Sequence, residues 1–268
     1  MTPRGQLSLL LLAYRPFATP TVRYGSFLVP IMAQNIEYPP GNLILAALPS
    51  HEFKRLSEQL ESVELKLGEV LQMPEEVIEH IYFPIEGVIS LVAILQDGET
   101  VEAGIVGREG MVGIPVVLGV DTTTNQALVQ GGGRALRMKA NSFKAYLRND
   151  GVLQPLLLRY VHAMFAQVSQ TAACNRVHTL NQRLARWLLL THDLRGHDKF
   201  DLTHEFLANM LGTRRAGVSV AASSLREAGL IDYSRGQVMM LNRKGLEAAS
   251  CECYGIVKAE YDRLYEAF

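Results

Sequence analysis

Cysteine is scarce, and its scarcity excludes a good deal. Cys174, Cys251 and Cys253 are the only three in the chain. Three thiols cannot form the paired framework of a small secreted domain, and their spacing matches no zinc-finger pattern. Cys251-x-Cys253 reads as half a metal or redox site at most, but alternate residues rarely face one ligand on a helix, so packing or plain exposure is their expected role and no metal or cofactor is expected. Long apolar runs are missing as well. Residues 7–13 follow Arg4 in the manner of a signal peptide, but the run is too short for a membrane span and no convincing small-residue cleavage site follows. A reducing, cytoplasmic location without membrane attachment is expected. Histidine is thin too: the stretch richest in strand signals holds only His80, with His51 ahead of it. That is too few for a metal cupin, and no nucleophile–base constellation stands out, so a cupin-like enzyme is the least favoured alternative.

Net charge is likewise small, −1 over the whole chain, but unevenly spread. Residues 176–245 hold 11 Lys+Arg against 6 Asp+Glu, leaving 15 against 21 elsewhere. A basic segment of this kind suits a polyanionic partner. The remaining balance, 48% hydrophobic and 20% charged, excludes a disordered chain, and 268 residues suffice for two modest cores.

The most informative stretch lies inside the basic segment, LTHEFLANMLGTRRAGVSVAASSLREAGL over residues 202–230. Phe206, Leu207, Met210 and Leu211 form one apolar stripe at helical period; Val218, Ala221, Ala222 and Leu225 form a second. Gly212 between them tolerates the positive φ of a tight turn, and Thr213 is the expected N-cap of the helix that follows. Small Ala208 and the spacing to Val218 let two helices cross steeply, as in a helix-turn-helix. Arg214 and Arg215 open the second helix, and Ser219 and Ser223 are expected on its exposed face. Residues 231–234 and 237–241 read as two strands about Arg235-Gly236, a wing.

Ahead of this unit the pattern runs in three parts. Residues 1–31 are expected to lie outside the fold, Met32 being a more conventional start. Residues 42–60 read as an amphipathic helix broken at Pro49-Ser50. Short strands are then expected at 63–67, 77–83, 88–95, 100–106, 126–130 and 134–138, with an Asp97-Gly98 hairpin turn, as in a small antiparallel barrel or roll. Residues 142–148 return to helix. Residues 149–180 form one long helical pattern, with Pro155 tolerable only near its first turn. Leu157, Val161, Met164, Val168, Thr171, Asn175 and His178 fall at alternating gaps of four and three, a coiled-coil-like seam. Its polar end either faces an effector or fixes register. Residues 182–193 make a further amphipathic helix, residues 195–198 a polar connector, and residues 244–268 helix and tail of uncertain role. The expected domains are therefore an extension (1–40), a roll (41–148), a long helix (149–180), a winged helix-turn-helix (181–250) and a C-terminal helix or tail (251–268).

This order resembles the Crp/Fnr family of bacterial transcription regulators. The stretch just quoted carries the likeness most specifically, together with YFPIEGVISLVAILQDGETVEAGIVGREGMVG in the roll. The resemblance implies an α+β fold with a cyclic-nucleotide-binding-like β-roll, a homodimer formed through the long helix, and recognition helices in successive major grooves of an inverted repeat. Double-stranded DNA is the implied partner, with RNA polymerase a further one if the protein activates. Relatives that bind cyclic nucleotides carry a glycine–glutamate pair for the ribose and an arginine–serine pair for the phosphate. Here those regions read Arg108-Glu109-Gly110-Met111-Val112-Gly113 and Thr124-Asn125-Gln126-Ala127, so cyclic AMP is not the expected ligand. A cyclic nucleotide held in an altered pocket is the alternative. The iron–sulfur branch uses an N-terminal cysteine cluster, and no cysteine precedes Cys174.

Expected DNA contacts are Thr203, Thr213, Arg214, Arg215, Ser219, Ser223 and Arg235. Of these, Arg215 and Ser219 are the base-reading candidates, while Arg214, Ser223 and Arg235 are assigned mostly to phosphates. The family's arginine–glutamate pair aligns with Arg215 and Ala216, and a later arginine with Val220, which predicts a different half-site. Candidate effector residues are Gly110, Met111, Asn125, Gln126, Thr171 and Asn175.

Overall fold

The computed structural model describes residues 41–149 and 151–266. The expected extension at residues 1–31 lies outside the described residues. Pro49 divides the first helical stretch into α1 (Leu43–Ala46) and α2 (Ser50–Ser57). Strands β1 (Glu61–Leu65), β2 (Val70–Gln72), β3 (His80–Pro84), β4 (Val88–Ile94) and β5 (Thr100–Val106) follow. After them come α3 (Ile114–Val117), β6 (Gln126–Gly131), β7 (Gly133–Lys139) and α4 (Ala140–Leu147). The strands form two antiparallel sheets, ordered β1-β7-β3 and β2-β6-β4-β5. Their apolar faces enclose Ile81, Phe83, Ile89, Val106 and Phe143. β3 begins later than expected because Val77 stays exposed and only bridges Thr122. β2 and α3 are too short to leave a periodic signal.

The long helix α5 spans Leu153–Val177, with Pro155 in its first turn, where the missing N–H has no intrahelical partner to lose. Buried Glu52 caps it from α2, accepting the backbone N–H of Val152 at 3.0 Å and of Leu153 at 3.2 Å. The single helix expected over residues 149–180 is a correction. At His178 the backbone turns extended, with φ −98° and ψ 149°. Thr179 then opens α6 (Leu180–Arg195) through a capping box with Gln182. A good N-cap inside a continuous apolar pattern ends one helix and starts another.

The seam on α5 also needs correction. Leu157 and Met164 are buried in the roll core, whereas Leu158 and Phe165 are 50% and 69% exposed. The outward row is Leu158, Val161, Phe165, Val168, Ala172 and Asn175, offset by one residue at half its positions. Two adjacent apolar rows carry the same period, and only the roll decides which it covers.

The C-terminal half continues with β8 (Lys199–Asp201), α7 (His204–Met210), α8 (Arg215–Glu227), β9 (Ile231–Ser234), β10 (Gln237–Met240), α9 (Arg243–Ala249) and α10 (Cys253–Tyr265). β8 follows the polar connector at residues 195–198, where no strand was expected; it pairs with β10, which also pairs with β9. Trp187, Leu188, Phe200, Leu207, Val218, Leu225 and Val238 make a second core, which Val92 of the roll joins. α10 lies along α5. Buried Gln167 of α5 links the two to the roll, accepting Ile105 N–H at 2.6 Å and donating to the Tyr261 hydroxyl at 3.0 Å.

The cysteines depart furthest from expectation. Cys174, Cys251 and Cys253 are all buried and cluster with His178. Alternation on a helix does not apply, because Ser250 ends α9 in extended backbone, Cys251 is non-helical and Cys253 is the first residue of α10. Among the described residues, no helix is long and apolar enough to cross a membrane.

Candidate nucleic-acid interface

α7 and α8 are set by the residues the pattern singled out. Thr203 accepts the Phe206 N–H at 3.1 Å and caps α7. Gly212 takes φ +54° at the turn, and a Cβ there would stand 2.9 Å from a methyl of Val101, so the turn is fitted to the roll as well as bent. Thr213 is not the N-cap of α8, which corrects the expectation. Arg214 holds that position, and no side chain caps the helix. Thr213 instead uses its backbone N–H, donating to the Ala208 carbonyl at 2.9 Å. Val218, Ala221, Ala222 and Leu225 face the core.

The opposite face of α8 is solvent-exposed. Arg214, Arg215, Ala216, Ser223 and Arg226 lie on it, with Val220 72% exposed among them. Ser219 is half-buried and engaged: its hydroxyl lies 2.9 Å from Nδ1 of His204 and donates to the Arg215 carbonyl at 3.1 Å. His204 stacks on Tyr233 of β9, ring centroids 4.3 Å apart, and Tyr233 donates to the Leu202 carbonyl. Burial, and secondarily Arg215, hold the His204 imidazole below its ordinary pKa, so it stays neutral in this stack. Ser219 thus ties α8 to α7 and the wing. Arg235 stands exposed at the wing tip with φ +50°. Thr203, Arg214, Arg215, Ser223 and Arg235 therefore share exposure, while Ser219 and Thr213 are drawn into the framework. Val220, singled out in the sequence only as standing where relatives carry an arginine, is an exposed apolar side chain on this face.

The unit is fastened to the roll. Trp187 of α6 donates its indole N–H to buried Glu102 of β5 at 2.9 Å. Ser90 lies 2.7 Å from the other Glu102 oxygen and 2.8 Å from Gln130 Oε1. One hydroxyl proton cannot serve both acceptors. A neutral Glu102 that donates to Ser90, which donates to Gln130, satisfies the chain, as does a Gln130 amide turned to bring its otherwise unpartnered Nε2 to Ser90. Burial pushes the Glu102 pKa up to about 8, against the opposing effects of Ser90, Trp187 and Arg186. Beside this contact, Asp97 and Glu99 in the β4–β5 turn face a cleft that Arg214 and Gly217 line from the other side.

The candidate effector residues do not converge. Gly110 and Met111 are buried against Tyr160, whose hydroxyl donates to the Met111 carbonyl at 3.1 Å; a Cβ on Gly110 would collide with the Tyr160 ring. Asn125 and Gln126 sit at the start of β6, with Gln126 beside Met73. Thr171 accepts a hydrogen bond from Arg186 near the far end of α5, and Asn175 is exposed one turn later. A separate cleft opens where Ile105, Arg108 and Glu109 of the roll meet Leu194, Lys258 and Tyr261. Burial raises the Glu109 pKa to about 7 there.

Comparison with known proteins agrees with this architecture. A family model described as the cyclic nucleotide-binding domain matches residues 62–150, and one described as the Crp-like helix-turn-helix domain matches residues 182–249. No curated protein matches the chain in sequence. Among solved structures, a Crp/Fnr-family transcriptional regulator from Eubacterium rectale superposes with TM-score 0.62 at 17% identity, covering 77% of this chain and 97% of its own. FixK2 from Bradyrhizobium japonicum gives 0.60 at 16% identity, covering 72% and 98%. The c-di-GMP-responsive regulator CLP from Xanthomonas campestris gives 0.57 at 14% identity, covering 72% and 99%. At such identities these structures are alike in fold; the two domain matches carry the assignment. With a cyclic-nucleotide-binding-type roll joined to a Crp-like helix-turn-helix, the chain belongs to the Crp/Fnr family of DNA-binding transcription regulators.

Proposed function

We propose that the protein regulates transcription as a homodimer on an inverted repeat, under control of a signal received by the roll. The observation that carries this reading is the outward row of α5, where Leu158, Phe165 and Val168 stand 50%, 69% and 36% exposed at coiled-coil spacing. A second copy of the same helix is the natural cover for such a row. Pairing there would set two α8 helices about 34 Å apart, one helical turn of DNA. The chain works by binding rather than catalysis, in the cytoplasm. Residues 41–148 serve as sensor, 149–180 pair the protomers, and 181–250 read DNA. Within residues 251–268, α10 braces the long helix.

On α8, Arg215 is the base-reading residue, suited to guanine O6 and N7. Ala216 and Val220 offer apolar contact to thymine methyl groups. Thr203, Arg214, Ser223 and Arg235 position the helix on phosphates. Control follows from the cleft between α8 and the β4–β5 turn. Asp97 and Glu99 approach the same helix end that must meet DNA phosphates, so the hairpin and the duplex compete for it. A signal that moves the hairpin away favours binding. RNA polymerase is a partner if the bound protein activates.

Selection of bound fragments from genomic DNA tests the proposal. It predicts a recovered inverted repeat; recovery of unrelated fragments without symmetry would refute it. A second reading, a cyclic nucleotide in an altered pocket, is favoured by the domain match over residues 62–150. Tyr160 packed on Gly110 speaks against it, and calorimetry with cyclic AMP, cyclic GMP and cyclic di-GMP decides between the two.

A further inference from the structure

Four ligand-type side chains that lie far apart in sequence meet where the long helix ends. Cys174 and His178 stand one turn apart on the last turn of α5 and its C-cap, and Cys251 and Cys253 flank the start of α10. One ligand atom from each lies within 4.8 Å of all the others. Cys174 Sγ is 3.5 Å from Cys251 Sγ, and Cys253 Sγ is 3.6 Å from Nδ1 of His178. The three thiols form a buried cluster of their own, outside both hydrophobic cores.

We propose that Cys174, His178, Cys251 and Cys253 form a tetrahedral binding site for one zinc ion. Zinc bonds of about 2.1 Å to nitrogen and 2.3 Å to sulfur put ligand atoms roughly 3.6–3.8 Å apart. Two of the separations already match, and the widest closes with about 1 Å of side-chain adjustment. An iron–sulfur cluster would hold ligands on different irons further apart than this, so a single ion fits the cluster of side chains better. Packing alone accounts for three buried thiols, which behave as small apolar groups. It does not account for an imidazole turned into them by one nitrogen and supported from behind through the other. His178 Nε2 lies 3.3 Å from the Glu252 carboxylate, the outer-shell arrangement that orients a ligating histidine. Each thiol gives up a proton to solvent on binding. The resulting site carries one net negative charge, which the nearby positive charge of buried Arg186, whose Nε makes no hydrogen bond, offsets.

The position gives the ion a role. It would fasten the break at His178, between α5 and the DNA-reading unit, to the α9–α10 link. This inference stands independently of dimer formation.

The test uses the full chain, expressed with zinc and purified under reducing conditions. Metal analysis and native mass spectrometry are expected to find one zinc per chain in wild type and in Ser250→Ala, and to find it lost in C174S, C251S and C253S. Glu252→Ala should weaken zinc affinity about 10-fold or more. Should the cysteine variants fail to fold, cobalt(II) added to chelator-treated wild type decides the matter. Intense visible bands with thiolate charge transfer support the site. Weak six-coordinate bands, zinc content indifferent to the cysteine substitutions, bound iron with sulfide, or a metal-free chain that zinc does not reconstitute would each overturn it.

Discussion

Glu102 is buried at the contact between roll and reader, and its proton has a measurable consequence. Its pKa is raised in the folded protein, so folding stability from this group is fully present below the unfolded value of about 4.5 and is lost as pH rises towards 8. Denaturant midpoints measured between pH 5 and pH 8 should therefore fall with pH in wild type. Glu102→Gln, whose amide can donate to Ser90 while its oxygen accepts from Trp187, should flatten that slope; an unchanged slope would remove Glu102 as its cause. Glu52 acts at the start of α5. Glu52→Ala leaves two backbone N–H groups of α5 uncapped and should cost about 1–3 kcal/mol in chemical denaturation. On the DNA side, Arg215→Ala should cost about 1–3 kcal/mol at one base pair of the half-site and relax selection there. Equal weakening on every sequence would instead make Arg215 a phosphate contact.

At the scale of elements, α5 and the β4–β5 hairpin carry the mechanism. Phe165→Glu places a charge in the outward row of α5. Light scattering should find a monomer at micromolar concentration, and operator affinity should drop about 100-fold through lost bivalency. Asp97→Asn with Glu99→Gln should tighten DNA binding, because the hairpin then competes less for the end of α8; weaker binding would count against that competition. Much of this was legible beforehand. The two apolar stripes around Gly212, the Asp97-Gly98 turn and the wing about Arg235-Gly236 are local patterns, and each formed as local chemistry dictates. What was not legible depended on packing. Leu157 and Leu158 are equivalent until a roll covers one of them. Thr213 has the right chemistry for a cap, but its place is taken by Arg214, and Ser219 looked free until His204 approached it. The cysteines are 77 residues apart in the pair Cys174 and Cys251, a separation no spacing rule bridges.

Across the described residues, roll and DNA-reading unit share one continuous set of contacts. Trp187 reaches into the roll, Gln167 ties α5 to both roll and α10, and Tyr265 donates to the Glu109 carbonyl. A change at the roll therefore has physical routes to α8. The basic reader on a nearly neutral chain should also make DNA affinity fall steeply with salt, through release of counterions from the phosphates. The most direct measurement is the mass of the complex on a selected operator, by sedimentation or mass photometry at low salt. Two chains on one duplex are expected, with half-site centres about 10–10.5 base pairs apart. One chain per duplex, or no retained duplex in dilute buffer, would contradict that expectation.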